Sequence, residues 1–428
     1  MALTHIHHRM EATGIEEKIN KRIFTPYQVF VIAILSLLQF TVILDFMVLS
    51  PLGAILIDKL HVTTSQFGLV VSAYAFSAGI SGLLTAGFAD KFDRKRLLLF
   101  FYVGFISGTL FCAMAPTYEL LLAARIVTGI FGGVIGSVSF AIITDLFKME
   151  VRGRVMGFVQ MSFAASQVLG LPIGLMLANR FGWHAPFWMI AGAGTLLGIV
   201  IAVKLKPVDK HLHLNIDHNA FHHLFATITR PDYAKAFFAT TLLATGGFML
   251  MPFGSAFSIH NLGITLEQLP IVYLITGLFS IVFGPITGKL SDKIGKFNMF
   301  CIGTALSIIM VGIYTHLGVT PLWQLITLNV ILFVGISSRM IASSALLTAV
   351  PDAKDRGAFM SVNASTQQIS GGIASIVAGL IIVQTTSGKL ERYDILGYTV
   401  IGAMVLATVM LYYLNRRIQK KLHTDKNV

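Results

Sequence analysis

The sequence is poor in charged residues and in cysteine. Only 12% of its 428 residues are charged and 55% are hydrophobic, whereas a soluble domain has roughly 25% charged residues. This composition excludes an ordinary soluble domain and indicates a lipid bilayer. The two cysteines, Cys112 and Cys301, lie in different apolar segments. We expect them in opposite leaflets, too far apart to form a disulfide.

Several signatures of catalysis are missing. Neither a His-Glu-x-x-His nor a Gly-x-Ser-x-Gly pattern occurs, which disfavours a membrane protease or acyltransferase. A Walker-type Gly-x-x-x-x-Gly-Lys-Ser/Thr loop is also lacking, so nothing supports ATP-driven pumping. The basic residues are scattered over short loops, which disfavours nucleic-acid binding. We therefore expect a protein that is not an enzyme and that uses no cofactor.

Long apolar segments occupy most of the chain. A membrane-spanning helix needs about 20 mostly apolar residues. Twelve segments qualify, at 29–57, 66–89, 97–115, 119–143, 155–178, 185–204, 234–258, 268–288, 298–317, 322–346, 358–384 and 395–414. They predict an all-α integral membrane protein with twelve transmembrane helices in two pseudo-symmetric six-helix bundles. The expected parts are an N-terminal tail (1–28), a first bundle (29–204), a His-rich linker (205–233), a second bundle (234–414) and a C-terminal tail (415–428).

The distribution of positive charge predicts the orientation of the chain. With twelve spans both termini lie on one side, and that side carries 26 of the 32 Lys and Arg residues. The opposite side carries four, and two lie within spans. This asymmetry follows the positive-inside rule and predicts cytoplasmic termini. The first 28 residues contain no apolar core, so they are not expected to be a signal peptide.

Two short basic loops about two hundred residues apart are nearly alike. Asp90 in the first loop corresponds to Asp292 in the second, at an offset of 202 residues. A second pair of basic positions, Arg152 and Arg356, repeats at an offset of 204. Two pairs at almost the same offset indicate a duplicated half, and tandem six-helix halves are typical of transporters.

Both loops resemble the first signature of the major facilitator superfamily, Gly-x-Leu-Ala-Asp-Arg-x-Gly-Arg-Lys. The matching residues are Asp90, Arg94 and Lys95 in the first copy and Gly288, Leu290, Asp292, Gly295 and Lys296 in the second. The fourth segment is similar to the family's Arg-x-x-Gln-Gly element, beginning at Arg125. The fifth and sixth look like those of the arabinose-efflux-permease and drug:proton antiporter branch. The resemblance covers essentially the whole chain and implies a secondary transporter that works by alternating access.

In that family the basic loops form a cytoplasmic gate. The residues to which the resemblance assigns this role are Asp90, Arg94, Lys95, Asp145, Arg152, Asp292, Lys296 and Arg356. Clusters of opposite charge can break and form again as two halves rock, which is what a gate requires. The alternative interpretation is a set of ordinary positive-inside loops.

Charged residues inside the membrane are costly and therefore usually mark function. At a rise of about 1.5 Å per residue, Asp45 on the first segment and Arg125 on the fourth reach similar depths in the outer half of the first bundle. We predict that this pair couples transport to protons, because moving Arg125 away would favour protonation of Asp45. A static ion pair that fastens the two helices together is the alternative.

Other polar residues within the segments are candidates for the cavity. Arg339 has no charged counterpart in the first half, which makes it a candidate for binding an anionic or hydroxyl-rich cargo. Gln160 and Gln167 are seven residues apart and share one helix face. Asn363 and Gln367 add a polar face to the eleventh segment. The alternatives are a structural salt bridge or a contact to helix-end carbonyls for Arg339, and helix–helix hydrogen bonds for the amides.

Small residues and a proline predict close helix packing and a bend in the fourth and fifth segments. These residues are Gly129, Gly133, Gly170, Pro172 and Gly174. In the antiporter signature of the fifth segment glycine directly precedes proline, whereas here Leu171 separates them. The strict signature is therefore absent, although we still expect the bend.

The expected function is proton-coupled export of a small organic molecule (a drug, sugar or metabolite) across a bacterial inner membrane. The alternatives are an importer or facilitator and, less favoured, a transporter-like sensor, for whose output domain the short C-terminal tail leaves no room. The expected partners are the cargo, protons and the lipid bilayer, without nucleic acid, and we expect a monomer. The histidines of the tail and linker lack accompanying cysteines and a fixed scaffold, so we expect no metal site.

Overall fold

The structure is a computed structural model that is almost entirely helical. It describes residues 24–85, 88–209, 212, 220–352 and 355–426, without the side chains of residues 90, 149, 150, 220–224 and 420–426. The histidines at positions 5, 7, 8, 211, 213 and 218 therefore lie outside the described residues, and so do the side chains of His222, His223 and Asp90.

Twelve long helical segments run through the described residues, and we number them as spans. They are Pro26–Val48 (span 1), Thr64–Thr85 (span 2), Arg94–Met114 (span 3), Tyr118–Leu146 (span 4), Val151–Phe181 (span 5), Ala185–Lys204 (span 6), Pro231–His260 (span 7), Leu269–Ile294 (span 8), Lys296–Tyr314 (span 9), Leu322–Thr348 (span 10), Arg356–Ile381 (span 11) and Tyr393–Lys426 (span 12). Eleven are long and apolar enough to cross a membrane. Span 11 has 26 residues and is richer in serine, asparagine and glutamine.

The remaining elements are short. They are the helices Gly53–Leu60 and Ala220–Thr229, the 3-10 turn Ala89–Lys91, and the antiparallel strands β1 (Val383–Gln384) and β2 (Leu390–Glu391). Spans 1–6 form one bundle and spans 7–12 the other, and the two bundles meet chiefly where span 2 packs on span 11 and span 5 packs on span 8. The predicted all-α class with two six-helix bundles is thereby confirmed, whereas the cytoplasmic position of the termini stays a prediction.

Capping residues and glycine set several helix ends. The backbone N–H of Gln28 donates to the Thr25 hydroxyl at 3.2 Å, and the Thr25 N–H donates to the Gln28 side chain at 3.0 Å. This reciprocal capping box satisfies two donors at the start of span 1. Span 8 ends at Gly295, whose φ of 94° places it in the left-handed region that favours glycine. Span 9 begins directly after it.

Spans 1 and 7 are interrupted at equivalent places. The sequence predicted one continuous helix over 29–57, but the helix ends at Val48 and resumes only as Gly53–Leu60. Pro51 lies in the gap, and its missing N–H together with its ring disfavours a continuous helix. In span 7 the break is the 3-10 turn Met251–Phe253, which contains Pro252, 201 residues after Pro51.

One end of the molecule joins the two halves. We call the end that carries these two breaks the closed end, and the end at which span 1 begins the basic end. At the closed end the Ser50 hydroxyl donates to the Met251 carbonyl, and the Ser255 hydroxyl donates to the Ser50 carbonyl at 3.0 Å. The Asn179 amide donates to the Leu266 carbonyl at 2.7 Å. Each of these bonds crosses from one half to the other.

The buried core shows the same difference between the two ends. At the closed end one apolar cluster contains side chains of both halves, among them Leu52 and Phe253. Towards the basic end the two halves have separate clusters, one around Leu98 and the other around Phe300. The apolar contact between the halves is therefore concentrated at the closed end.

Spans 2 and 11 form a close seam between the halves. The Thr64 hydroxyl donates to the Ile382 carbonyl at 2.7 Å, and the Ser72 hydroxyl donates to the Gly372 carbonyl at 2.8 Å. A Cβ atom at Gly379 would lie only 2.7 Å from the Thr64 carbonyl oxygen, which is closer than a Cβ atom can approach. Glycine at this position therefore permits the close approach of the two helices.

We predict that Gly379→Leu destabilises the protein by about 1–3 kcal/mol, because overpacking forces the seam apart. The matched control is Gly402→Leu on span 12, where a Cβ atom would meet nothing within 4 Å. The measurement is the thermal unfolding midpoint of each purified variant in one detergent. Equal midpoints for the two leucine variants would contradict the close packing at Gly379.

Candidate functional site

A buried ion pair lies inside the first half. Arg125 Nη1, on span 4, is 2.8 Å from Asp45 Oδ2, on span 1, and 3.4 Å from the Asp45 carbonyl oxygen. The two side chains are 1% and 0% exposed, respectively. The structure thus brings together the two charged residues that the sequence placed at similar depths. Their role in proton coupling stays a prediction.

Two further residues complete the surroundings of this pair. The Thr109 hydroxyl, on span 3, lies 3.1 Å from Asp45 Oδ1. The Tyr74 ring, on span 2, lies 4.6 Å from the guanidinium carbon of Arg125, which is a cation–π distance. Spans 1 to 4 therefore all contribute to one polar centre in an apolar bundle.

Sequence reasoning missed Thr109 and Tyr74. Hydroxyl groups within spans commonly bond to a carbonyl of their own helix, and Thr109 also lies 3.0 Å from the Phe105 carbonyl oxygen. Neither residue type stands out in an apolar segment unless its neighbours are known. The one available signal was that both residues are polar and lie on spans that neighbour span 4.

The basic end of the first half holds five of the predicted gate residues, and the structure describes the side chains of all of them except Asp90. Arg94 Nε lies 3.3 Å from Asp145 Oδ2, which connects spans 3 and 4. Lys95 donates to the Ala202 carbonyl of span 6 at 2.9 Å. Arg152 donates to two backbone carbonyls at the end of span 4, at 2.6 and 2.9 Å. These bonds all lie within the first half, and the role of the residues as a gate stays a prediction.

The second half carries the other predicted gate residues. Lys296 and Asp292 form an ion pair one helical turn apart, on either side of the glycine that separates spans 8 and 9. Arg356 is exposed at the first residue of span 11. The two loops with similar sequences therefore both lie at helix ends that carry charged side chains.

A network that the sequence did not predict connects spans 7 and 11 at the basic end. Arg230 Nη1 lies 2.5 Å from Asp355 Oδ2 and 3.5 Å from Asp352 Oδ2. The Tyr233 hydroxyl donates to the same Asp355 oxygen at 2.8 Å. The network joins the start of span 7 to the loop before span 11, so movement of either helix would strain it.

The amide side chains proposed for the cavity differ in their surroundings. Gln160 and Gln367 are exposed, and Gln167 is half-buried. Asn363 accepts a hydrogen bond from the Thr240 hydroxyl of span 7 at 2.5 Å, so it connects two helices of the second half. Asn363 thus has a packing role in this conformation, whereas a cargo-binding role for any of the four amides stays a prediction.

The glycines predicted for helix packing stand at close contacts. A Cβ atom at Gly129 or Gly133 would collide with the backbone of span 2, and one at Gly170 would lie 2.5 Å from the Leu44 side chain. A Cβ atom at Gly174 would lie 3.0 Å from the Val48 side chain.

The expected irregularity in span 5 is a single π-helical turn. It covers Ser166–Gly170, and Pro172 follows in the first turn of the next helix segment. Because proline cannot donate to the preceding turn, a local change in the helix is expected just before it. The helix is therefore still distorted at this place, although Leu171 separates the glycine from the proline.

Arg339 lies in the core of the second half and is 6% exposed. Its guanidinium carbon is 5.6 Å from the centre of the Phe300 ring. Among the described residues, no carboxylate lies within ion-pair distance of it. The structural salt bridge that was the alternative for Arg339 is therefore not formed with any residue in the described part of the chain.

We predict that Asp45→Asn lowers the free energy of unfolding by about 3–5 kcal/mol, because it leaves the Arg125 charge buried without its partner. The double variant Asp45→Asn/Arg125→Gln should recover at least half of that loss, since neither charge remains. The measurement is chemical or thermal unfolding of the three proteins in detergent. Asp292→Asn, at an exposed ion pair, serves as the control and should stay near wild type. Wild-type stability of Asp45→Asn would contradict a tight, desolvated pair.

Comparison with known sequences gives consistent matches over nearly the whole chain. The profile of the Major Facilitator Superfamily matches residues 35–231 and 236–427. The MFS-type transporter YceJ of Bacillus subtilis (strain 168) is 28% identical over 271 residues, covering 63% of this chain and 68% of YceJ. The MFS-type transporter YtbD of the same organism is 23% identical over 357 residues, covering 82% of this chain and 87% of YtbD.

Solved structures show the same architecture. A bacterial homolog of the human lysosomal transporter Spinster, in an inward-facing and unoccupied conformation, has a TM-score of 0.75 at 16% identity, covering 93% of this chain and 98% of that one. The nucleoside transporter NupG has a TM-score of 0.72 at 14% identity, covering 90% of this chain and 99% of that one. At such low identity these similarities establish the fold and leave the cargo open.

Proposed function

Since the chain belongs to the major facilitator superfamily of membrane transporters, we propose that it exports a small organic molecule from a bacterium across the inner membrane in exchange for protons. The observation that carries the proposal is the fully buried Asp45–Arg125 pair. A carboxylate at such a depth is costly to keep, and residues of this kind commonly belong to proton relays.

Proton coupling would act through the charge balance of this pair. With Asp45 ionised, Arg125 neutralises it at 2.8 Å and holds span 4 against span 1. With Asp45 protonated, that attraction is lost, and the Arg125 cation favours a more hydrated position. Each proton taken up thus changes which packing of spans 1 and 4 is preferred, which is the requirement for linking proton binding to a conformational change.

The two ends of the molecule supply the alternating access. A shared core and several hydrogen bonds join the halves at the closed end, whereas the halves have separate cores towards the basic end. We assign the basic end to the cytoplasm because the positive charges gather there. This conformation is then inward-facing, and the gate formed by Arg94, Asp145 and the other charged residues of the basic end would close in the opposite state.

The remaining parts of the proposal rest on the sequence. Export rather than import follows the resemblance of spans 5 and 6 to the drug:proton antiporter branch. A monomer is proposed because one chain supplies both halves and therefore both walls of the path between them. An importer or a proton-independent facilitator would have the same fold and is distinguished by the experiment.

We predict that wild-type protein in liposomes holding a pH-sensitive dye moves protons when a transported compound is added from a panel of drugs, sugars and metabolites. Asp45→Asn should lose this cargo-dependent proton flux while still exchanging labelled cargo for unlabelled cargo at equal pH, because exchange needs no net proton movement. Retention of exchange also shows that the variant is folded.

Glu267→Gln is the matched control, since Glu267 is an exposed carboxylate in the loop before span 8. It should keep both activities. Undiminished proton flux in Asp45→Asn would remove Asp45 from the coupling role. If the wild type moves cargo without moving protons, the protein is a facilitator. If cargo movement requires a proton gradient of the opposite direction, the protein is an importer.

A further inference from the structure

The second half contains a buried cation whose charge is not neutralised by the described residues. Arg339 Nε and Nη2 are buried and have no hydrogen-bond partner. Arg125 in the first half is 1% exposed and has the Asp45 carboxylate at 2.8 Å. Arg94, the other buried arginine of the first half, lies 3.3 Å from Asp145. Of these three buried arginines, only Arg339 has no counter-charge within the described part of the chain.

An isolated charge in a membrane-spanning bundle is unfavourable and is usually paired. The Phe300 ring face at 5.6 Å offers a weak cation–π contact and no hydrogen-bond acceptor for the guanidinium. Retaining the arginine is easier to understand if an anion from outside the chain pairs with it during part of the transport cycle.

The internal repeat shows where a counter-charge would belong. Pro51 and Gly53 recur as Pro252 and Gly254 at an offset of 201 residues, and both helices break and resume at these positions. The same offset takes Asp45 to Gly246. The second half therefore has a hydrogen atom at the position where the first half has a carboxylate side chain.

The guanidinium of Arg339 points to this position. A Cβ atom built on Gly246 would lie 3.9 Å from Arg339 Nη1 and 3.7 Å from the nearest Met404 atom, which are ordinary van der Waals distances. A Cβ atom would thus fit next to the cation without displacing a neighbour. The next residue, Gly247, is exposed, and a Cβ atom there would meet nothing within 4 Å.

We propose that a carboxylate group of the cargo occupies the gap at Gly246 and pairs with Arg339, in the place that Asp45 fills in the first half. The cargo class is then an organic anion that carries a carboxylate. The planar guanidinium suits this group because its parallel N–H donors match the two carboxylate oxygens. That the bound anion is a transported molecule rests on the proposed function. The binding site itself is defined by Arg339 and Gly246.

The first test places a carboxylate in the gap covalently. Gly246→Asp should melt about 2–4 °C above its uncharged isostere Gly246→Asn, because only aspartate neutralises Arg339. When Arg339→Gln is also present, the aspartate variant should no longer melt at a higher temperature than the asparagine variant. An aspartate variant that melts at or below the asparagine variant with Arg339 present would overturn the proposal.

The second test uses simple ligands on purified protein in detergent. Millimolar benzoate should raise the melting temperature of wild type, whereas the uncharged benzamide and an equal concentration of chloride should not. Gly247→Ala, at the neighbouring position where a Cβ atom meets nothing within 4 Å, should keep the response, and both Gly246→Asp and Arg339→Gln should lose it. An equal response to benzoate and benzamide, a response to chloride alone, no response to benzoate, or a response that survives in Arg339→Gln would overturn the assignment.

Both tests are separate from the transport experiment. Neither melting measurement requires cargo movement or a proton gradient, so a silent liposome assay with the expected melting shifts would reject the proposed function and keep the anion site. If the protein transports only uncharged compounds in exchange for protons, and the melting temperatures do not change as expected, the proposed function stands and the anion site is rejected.

Discussion

A charge buried between helices in a bilayer is unfavourable unless a counter-charge lies within the reach of its own side chain, because the hydrocarbon region holds no water to solvate it. The first half meets this constraint internally, with Arg125 Nη1 at 2.8 Å from Asp45 and a Thr109 hydroxyl beside the same carboxylate. The result is a centre that has no net charge as a whole but becomes positively charged when one proton is added. Because spans 1 to 4 all contribute, a change of charge at this point acts on most of the first bundle.

The same constraint distinguishes the two halves, although an internal repeat relates them. Spans 1 and 7 share the proline break and the short helix that follows it, so their backbones are equivalent at the closed end. Their side chains are not, since Gly246 stands where the first half has Asp45, and the buried Arg339 of the second bundle has no charged counterpart in the first half. A duplicated fold can in this way assign proton binding to one half and recognition of an anion to the other without any change in helix packing.

Sequence reasoning was most reliable where the signal is long and periodic. The sixth helix was predicted over 185–204 and is observed as Ala185–Lys204. It failed where a local residue overrides an apolar run, as at Pro51, which breaks a segment predicted to be continuous. The approach of Asp45 to Arg125 was predictable because helical rise fixes depth. The neighbours Thr109 and Tyr74 were not, and neither was the gap at Gly246, because each depends on contacts between three or four helices that no single segment specifies.

The seam between spans 2 and 11 shows how such a molecule can move without unfolding. Its hydrogen bonds run from hydroxyl side chains of span 2 to backbone carbonyls of the partner helix, as from Ser72 to Gly372 inside span 11 and from Thr64 to Ile382 just after its end. These bonds can be exchanged for neighbouring carbonyls as one helix shifts along the other, whereas the bulky shared core at the closed end has to separate as a unit. The seam can therefore act as the axis and the closed end as the latch of the proposed movement between the two access states.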